Sequence, residues 1–255
     1  MWFRNDLRMD DNPALRNACI ECEEVHAIYI FSSRQNNLHN EANCKIEFLI
    51  ENLKILDQDL SKINIPLTII DSTGFNDNKD IILNLIKDRS INKVFWNNQF
   101  GNDEQNRDDN VTRSLKKNGI EFSSYHEKVI FSPGSIRTAE DKPYSVFTPF
   151  KKKWIENFNL DLLDIEFNYL SKKKTLIESN IFDFKFKYKR NHSVDMSLWP
   201  PGEAHAKDRL KLYLSNKILR YSQDRNDPIV DGTSRISAYL ANGIISPKRC
   251  ILEAL

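Results

Sequence analysis

The chain has 255 residues, of which 40% are apolar, and a formal charge of +1 from 37 basic and 36 acidic side chains; that is enough for one large domain or two ordinary ones. Near-neutrality excludes a globally basic nucleic-acid binder, so any grip on phosphate has to come from a local patch. Four cysteines without an apolar leader, and no apolar run near the ~18 to 20 residues of a membrane helix, exclude a disulfide scaffold and predict a soluble, cytoplasmic, monomeric protein with reduced thiols.

In chain order, Asn12-Pro13 reads as a helix start, because Asn accepts from free amides and Pro fits the first helical position. A short strand then lies just before it. Cys19 and Cys22 form a CxxC on the helix, a spacing that packs two sulfurs on one face and lacks the second pair a zinc site needs. Val25 to Phe31 reads as a strand, Ile46 to Ile63 as a helix, Ile65 to Ile70 as a strand, Ile81 to Ile86 as a helical run and Val94 to Asn97 as a strand. This alternation predicts an α/β fold with an open parallel sheet covered by helices. From about Phe131 the pattern becomes an irregular connector with one helix, Pro149 to Phe158. The stretch Ser171 to Ser197 is basic at Lys172 to Lys174 and Lys185 to Arg190, with Phe182, Phe184, Phe186 and Tyr188 at period two. That interleaving suits either a nucleic-acid strip or, as we favour, a linker whose aromatics pack on the neighbouring surface. Past Trp199-Pro200-Pro201-Gly202 the chain turns helical: Glu203 to Tyr221 is one predicted helix, and Ser246-Pro247 starts another.

Three places carry polar groups in ligand-like patterns. Gly232-Thr233-Ser234-Arg235-Ile236-Ser237 opens a helical segment, so free amides, three hydroxyls and a guanidinium are available to an anion such as a diphosphate. A merely capped helix has the same residues, and the spacing is neither a Walker loop nor a dinucleotide fingerprint. Ligands of open parallel sheets gather at the carboxyl ends of strands, where His39 follows the second strand and Asp103 with Glu104 follows the fourth. Helix capping by Asn102 or Asp103 and a solvated histidine is the plainer alternative. Arg225 reads as a surface arginine paired with Asp224 or Asp227. No Ser/His/Asp set, metal cluster or glycosidase-like acid pair emerges.

Three stretches carry a resemblance: Trp2-Phe3-Arg4-Asn5-Asp6-Leu7-Arg8-Met9-Asp10-Asp11-Asn12-Pro13-Ala14-Leu15, then Tyr144-Ser145-Val146-Phe147-Thr148-Pro149-Phe150-Lys151, then Asp231-Gly232-Thr233-Ser234-Arg235-Ile236-Ser237-Ala238. Together they resemble the DNA photolyase and cryptochrome family, and most of all its bacterial class I members that split cyclobutane pyrimidine dimers. The resemblance implies a Rossmann-like antenna-binding domain at 1–130, a connector at 131–198 and, at 199–255, the beginning of an all-α FAD-binding domain. It implies flavin contacts from Tyr221, Thr233, Ser234, Arg235, Ile236 and Ser237, and a 5,10-methenyltetrahydrofolate antenna held by His39, Asp103 and Glu104. Relatives usually have Asn where this chain has Asp103, so a donor-acceptor becomes a carboxylate that only accepts. It further implies that Arg225 holds a phosphate of dimer-containing DNA, and that Arg4, Asp6 and Arg8 make salt bridges tying the sheet to the rest of the fold. Relatives carry a longer first strand, and their catalytic residues are expected beyond Leu255. Trp2, Trp96, Trp154 and Trp199 all precede the flavin loop, so none is the family's electron relay, and the 255 residues alone are expected to be inactive. A cryptochrome-like photoreceptor, or a nucleotide-binding α/β module with a structural helical cap, are the alternatives.

Overall fold

The computed structural model describes residues 1–165, 167–184 and 195–255. β1 (Trp2–Phe3) leads into α1 (Pro13–Glu21), where the Asn12 side chain accepts from the Leu15 amide at 3.1 Å and Pro13 takes the first helical position. β2 (Ala27–Phe31), α2 (Ser33–Leu38), α3 (Asn43–Ser61), β3 (Leu67–Asp71), α4 (Asn78–Arg89), β4 (Lys93–Asn97), α5 (Asn102–Lys117) and β5 (Glu121–Tyr125) complete the α/β part. β2 pairs in parallel with β1 and β3, and β4 pairs in parallel with β5. β1 lies against β4, so the strands run in the spatial order β3, β2, β1, β4, β5, and the winding reverses at β1.

Period-two alternation decides which helices cover which face. Trp2, Ile28, Ile30, Ile70, Val94 and Trp96 meet Ile82 and Ile86 of α4 and Val111 and Leu115 of α5. Phe3, Ala27, Tyr29, Phe31, Leu67, Ile69 and Phe95 face the other way, onto Leu15 of α1 and Ile50, Leu53 and Leu60 of α3. That second core does not stop at the α/β part, because Ala206, Leu210, Tyr239, Ile244 and Ile245 belong to the same cluster.

The connector carries α6 (Phe147–Asn157) and then runs back along the sheet. Asn180 covers the outer edge of β3: its Oδ1 accepts from the Ile69 amide at 2.7 Å and its Nδ2 donates to the Ile69 carbonyl at 2.9 Å. With its own amide donating to Leu67 O at 3.4 Å as well, Asn180 covers the open strand edge without another strand. Lys172 donates to Cys19 O at 2.7 Å and Lys173 pairs with Glu24 at 2.9 Å, so these two cations serve the protein itself. Phe184 meets Phe31 edge-on at 6.5 Å, whereas Phe182 stands exposed; Lys185 to Arg190, with Phe186 and Tyr188, lie outside the described residues. Cys19 is buried, and burial pushes its thiol up to about 11.

The predicted helix from Glu203 to Tyr221 is corrected. α7 (Glu203–Asn216) stops short, a 3₁₀ turn spans Ile218–Arg220, and a single turn α8 (Tyr221–Asp224) follows. Ala206 and Leu210 are buried, but Leu219 is 94% exposed, so the apolar stripe ends before the sequence pattern suggests. α9 (Ser237–Ala241) and α10 (Pro247–Ala254) close the chain, the latter capped by Ser246, whose Oγ accepts from the Arg249 amide at 2.9 Å.

The opening motif ties these parts together. Arg4 pairs with Asp108 of α5 at 2.6 Å, and Asp6 accepts from Asn97 Nδ2 at 2.6 Å. Arg8 pairs with Glu127 at 2.6 Å and donates to Gly243 O at 3.0 Å. Asp10 takes Arg249 at 2.9 Å and Lys207 at 3.0 Å, while Glu203 accepts from the amides of Met9 and Asp10 at 2.5 and 3.2 Å. Gly243 has φ +64°, and a Cβ there would stand 2.1 Å from Asn5 O, so glycine is required where the helical segment touches the motif.

Candidate functional site

A cavity of about 990 Å³ opens at the carboxyl ends of the strands, where the reversal at β1 leaves a crevice as the rule for open parallel sheets requires. Its floor is aromatic and cationic. Trp2 lies beneath two guanidiniums, Arg4 at 4.7 Å and Arg107 at 4.9 Å from its ring centre, and Arg107 also covers Phe75 at 4.8 Å. Burial, with Arg107 alongside, holds Arg4 down to about 10, and burial pushes the Tyr29 phenol up. Both effects mark a poorly hydrated floor.

His39, Asp103 and Glu104 all line this cavity, so two clusters 64 residues apart in sequence open onto the same space at the strand ends. His39 ends α2 and is exposed; Asp103 and Glu104 sit in the first turn of α5. The capping alternative is corrected: Gly101 occupies the cap position without a side-chain bond, and the two acids lie inside the helix, where the dipole favours them. Sequence reasoning missed several wall residues. Gln35 Oε1, Ser72 Oγ and Asn78 Oδ1 are buried without a hydrogen-bond partner, and all three residues line the cavity. Ser72 and Gln99 follow β3 and β4 directly, so the strand-end rule points to them as well. Arg107 lies in a charged run of α5 that gives no hint of its burial; it donates to Gln99 Oε1 at 2.8 Å.

The loop 232–237 lies on the helical segment, and of its residues Ser237 lines the cavity. Gly232 allows it to rest on α8, since a Cβ there would come within 2.4 Å of Asp224 Cβ. Thr233 and Arg235 are exposed and Ser234 and Ile236 half-buried. Arg235 turns its guanidinium onto Asp231 at 2.8 Å, and its carbonyl accepts from the Trp199 indole N–H at 3.1 Å. Tyr221 meets Tyr213 edge-on at 6.3 Å, and Arg225 lies over the Tyr221 ring at 5.7 Å. Asp224, one expected partner of Arg225, pairs with Arg220 instead at 3.3 Å. The structure thus brings Tyr221, Arg225 and the loop to one side of the helical segment, and His39, Asp103 and Glu104 to the cavity.

A family model described as DNA photolyase matches residues 1–167. The chain belongs to the DNA photolyase family. Among similar proteins, the deoxyribodipyrimidine photo-lyase of Buchnera aphidicola from Acyrthosiphon pisum is 33% identical over 98% of this chain and 52% of its own length. That of Escherichia coli K12 is 32% identical over 100% of this chain and 53% of its own length. Among solved structures, a class III photolyase from Agrobacterium tumefaciens superposes with a TM-score of 0.82 at 24% identity, over 99% of this chain and 52% of that one. A Synechocystis cryptochrome superposes at 0.78 with 21% identity, over 99% and 54%. The chain therefore spans about half the length of the relatives it matches, and the α/β fold with a parallel sheet is the one these structures share.

Proposed function

We propose that this chain forms the antenna-binding α/β domain (1–130), the connector (131–198) and the first part of the FAD-binding helical domain (199–255) of a deoxyribodipyrimidine photo-lyase. Its likeness along the whole chain to proteins of that name carries the reading. Reduced FAD, when bound, supplies the electron that splits a cyclobutane pyrimidine dimer after light absorption; the protein's share is binding, orientation and electrostatics. The damaged pair leaves the duplex to reach the flavin. In this reading Thr233, Ser234 and Ser237 offer hydroxyls and Arg235 a guanidinium to the flavin diphosphate, Ile236 and Tyr221 pack beside it, and Arg225 holds a DNA phosphate. The donor set fits the group: hydroxyls and cations are what a diphosphate takes.

The cavity is the antenna site in the same reading. Methenyltetrahydrofolate has a planar pterin with N–H donors, and the unpartnered acceptors on Gln35, Ser72 and Asn78 fit such donors. His39, Asp103 and Glu104 hold the pterin near the mouth. We place the protein in the cytoplasm as a monomer; its four cysteines are unpaired, which suits a reducing compartment.

The test is a chimera of this chain followed by the second half of the Escherichia coli relative. It should purify with FAD and split dimers in light. Replacing Arg235 by Ala, a contact worth about 1 kcal/mol at a partly exposed site, should lower FAD affinity roughly fivefold. Unchanged flavin content in that variant refutes the loop assignment.

A further inference from the structure

Asp231 stands between two cations that belong to different parts of the helical segment. Its Oδ1 takes Arg235 Nε at 2.8 Å and its Oδ2 takes Lys217 Nζ at 2.6 Å. Lys217 closes α7, and Arg235 sits in the loop before α9. Arg235 holds a left-handed φ of +51°, its carbonyl pinned by Trp199, so its guanidinium is presented from a fixed backbone. The hydrogen bond from Lys217 is the chief influence holding the Asp231 carboxyl below its usual range, and the carboxylate is therefore charged at neutral pH. One carboxylate with a cation on each oxygen has the arrangement by which two cations grip a phosphate.

We propose that Lys217 and Arg235 form a two-cation site for a diphosphate, in which Asp231 competes with the ligand for both cations. This rests on the flavin-loop reading and adds Lys217 as a second ligand-holding cation and Asp231 as an internal competitor. Binding is an exchange: each cation gives up a carboxylate oxygen and takes a phosphate oxygen. A singly charged anion gains nothing over Asp231, whereas a diphosphate brings more charge and more acceptors than the carboxylate it displaces. The competitor thus selects diphosphates against the chloride and carboxylates of the surrounding solution.

Titration calorimetry of inorganic pyrophosphate into the 255-residue chain at low salt tests this. Removing the competitor with Asp231→Asn or Asp231→Ala should tighten binding roughly fivefold, and Lys217→Met or Arg235→Met should weaken it by a similar factor, as expected for partly exposed ion pairs. Asp224→Asn, whose carboxylate pairs with Arg220, controls for the loss of any negative charge and should leave affinity unchanged. Urea unfolding confirms that each variant is folded; Asp231 is half exposed, so two different replacements there guard against a fold defect. The proposal is overturned if the Asp231 variants bind no tighter than wild type or than Asp224→Asn, if Lys217→Met binds as wild type does, or if no protein binds pyrophosphate up to ~10 mM. The flavin reading fails separately, when FAD retention in the chimera ignores Arg235. Arg235-dependent FAD retention with no gain from the Asp231 variants condemns the competitor alone.

Discussion

Replacing Arg8 with Met keeps most of the side-chain length and removes the charge at the joint between the two parts of the protein. Arg8 is 1% exposed; it pairs with Glu127 at 2.6 Å and donates to Gly243 O at 3.0 Å and Asp11 O at 2.5 Å. Breaking a buried pair from one side costs about 3 to 5 kcal/mol, a large share of a total stability of ~5 to 15 kcal/mol. Burial already raises the Glu127 carboxyl above its usual value, and Arg8 is the chief group that opposes it, with Lys128 a lesser one; without Arg8 the carboxyl moves higher still. The variant's native state then keeps a proton that its unfolded chain releases. Its stability therefore falls as pH rises from the ordinary carboxylate range near 4.5 through the raised Glu127 value, and the gap to wild type is widest above that window. Urea unfolding followed by far-ultraviolet circular dichroism, at about pH 5 and about pH 8, reads both terms. Adding Glu127→Met should recover much of the loss, leaving ~1 to 3 kcal/mol for the two carbonyls without a donor. A loss under ~1 kcal/mol at neutral pH, or the same loss with Glu127 already replaced, would refute this account.

Gly243→Ala should destabilise the chain by ~2 kcal/mol or more, through a positive φ and a Cβ driven into Asn5 O; a urea midpoint equal to wild type contradicts the close approach. His39→Ala and Glu104→Ala should reduce uptake of methenyltetrahydrofolate, followed by its near-ultraviolet absorption, and Asp103→Asn should increase it by restoring a donor. Equal uptake by all of these proteins would put the folate elsewhere. Arg225→Ala in the chimera should weaken binding of dimer-containing DNA alike for all flanking sequences and lower the log-log salt slope by ~1; identical slopes would leave Arg225 as a partner of Tyr221 alone.

Much of the fold is legible because local chemistry and tertiary packing agree. Asn12-Pro13 and Ser246-Pro247 start helices in the sequence and in the structure, and the strands from Val25 and Val94 alternate as their faces require. β5, Glu-Phe-Ser-Ser-Tyr, escapes notice because an outer strand lacks the apolar run that marks a central one. The Glu203 to Tyr221 helix is overread since Leu214 and Leu219 continue the helical period, whereas Leu219 stands exposed and buries no apolar face there. At the site, strand-end position puts His39, Asp103 and Glu104 on one cavity, because topology gathers the strand ends of distant segments into one crevice. Arg107 and the unpartnered Gln35 and Asn78 stay hidden, since nothing in a charged or amide-rich stretch says which side chain turns inward.

The opening motif, the most informative stretch of the sequence, acts mainly as a joint. Arg4 reaches α5, Asp6 reaches β4, Arg8 reaches Glu127 and Gly243, and Asp10 reaches α7 and α10. Trp2 and Arg4 belong at the same time to the cavity floor, while Arg8 and Asp10 hold the helical segment whose Ser237 and Ala238 line the same crevice. A substitution in the motif therefore lowers ligand binding by moving a wall even where the lost side chain never touched the ligand. His39 and Glu104 at the mouth, together with Gln35 on the wall, are free of that double role. Variants at these positions can separate recognition from assembly: losing affinity there with an unchanged unfolding midpoint reports on the cavity, while affinity and midpoint falling together, as expected for Arg8, report on the joint.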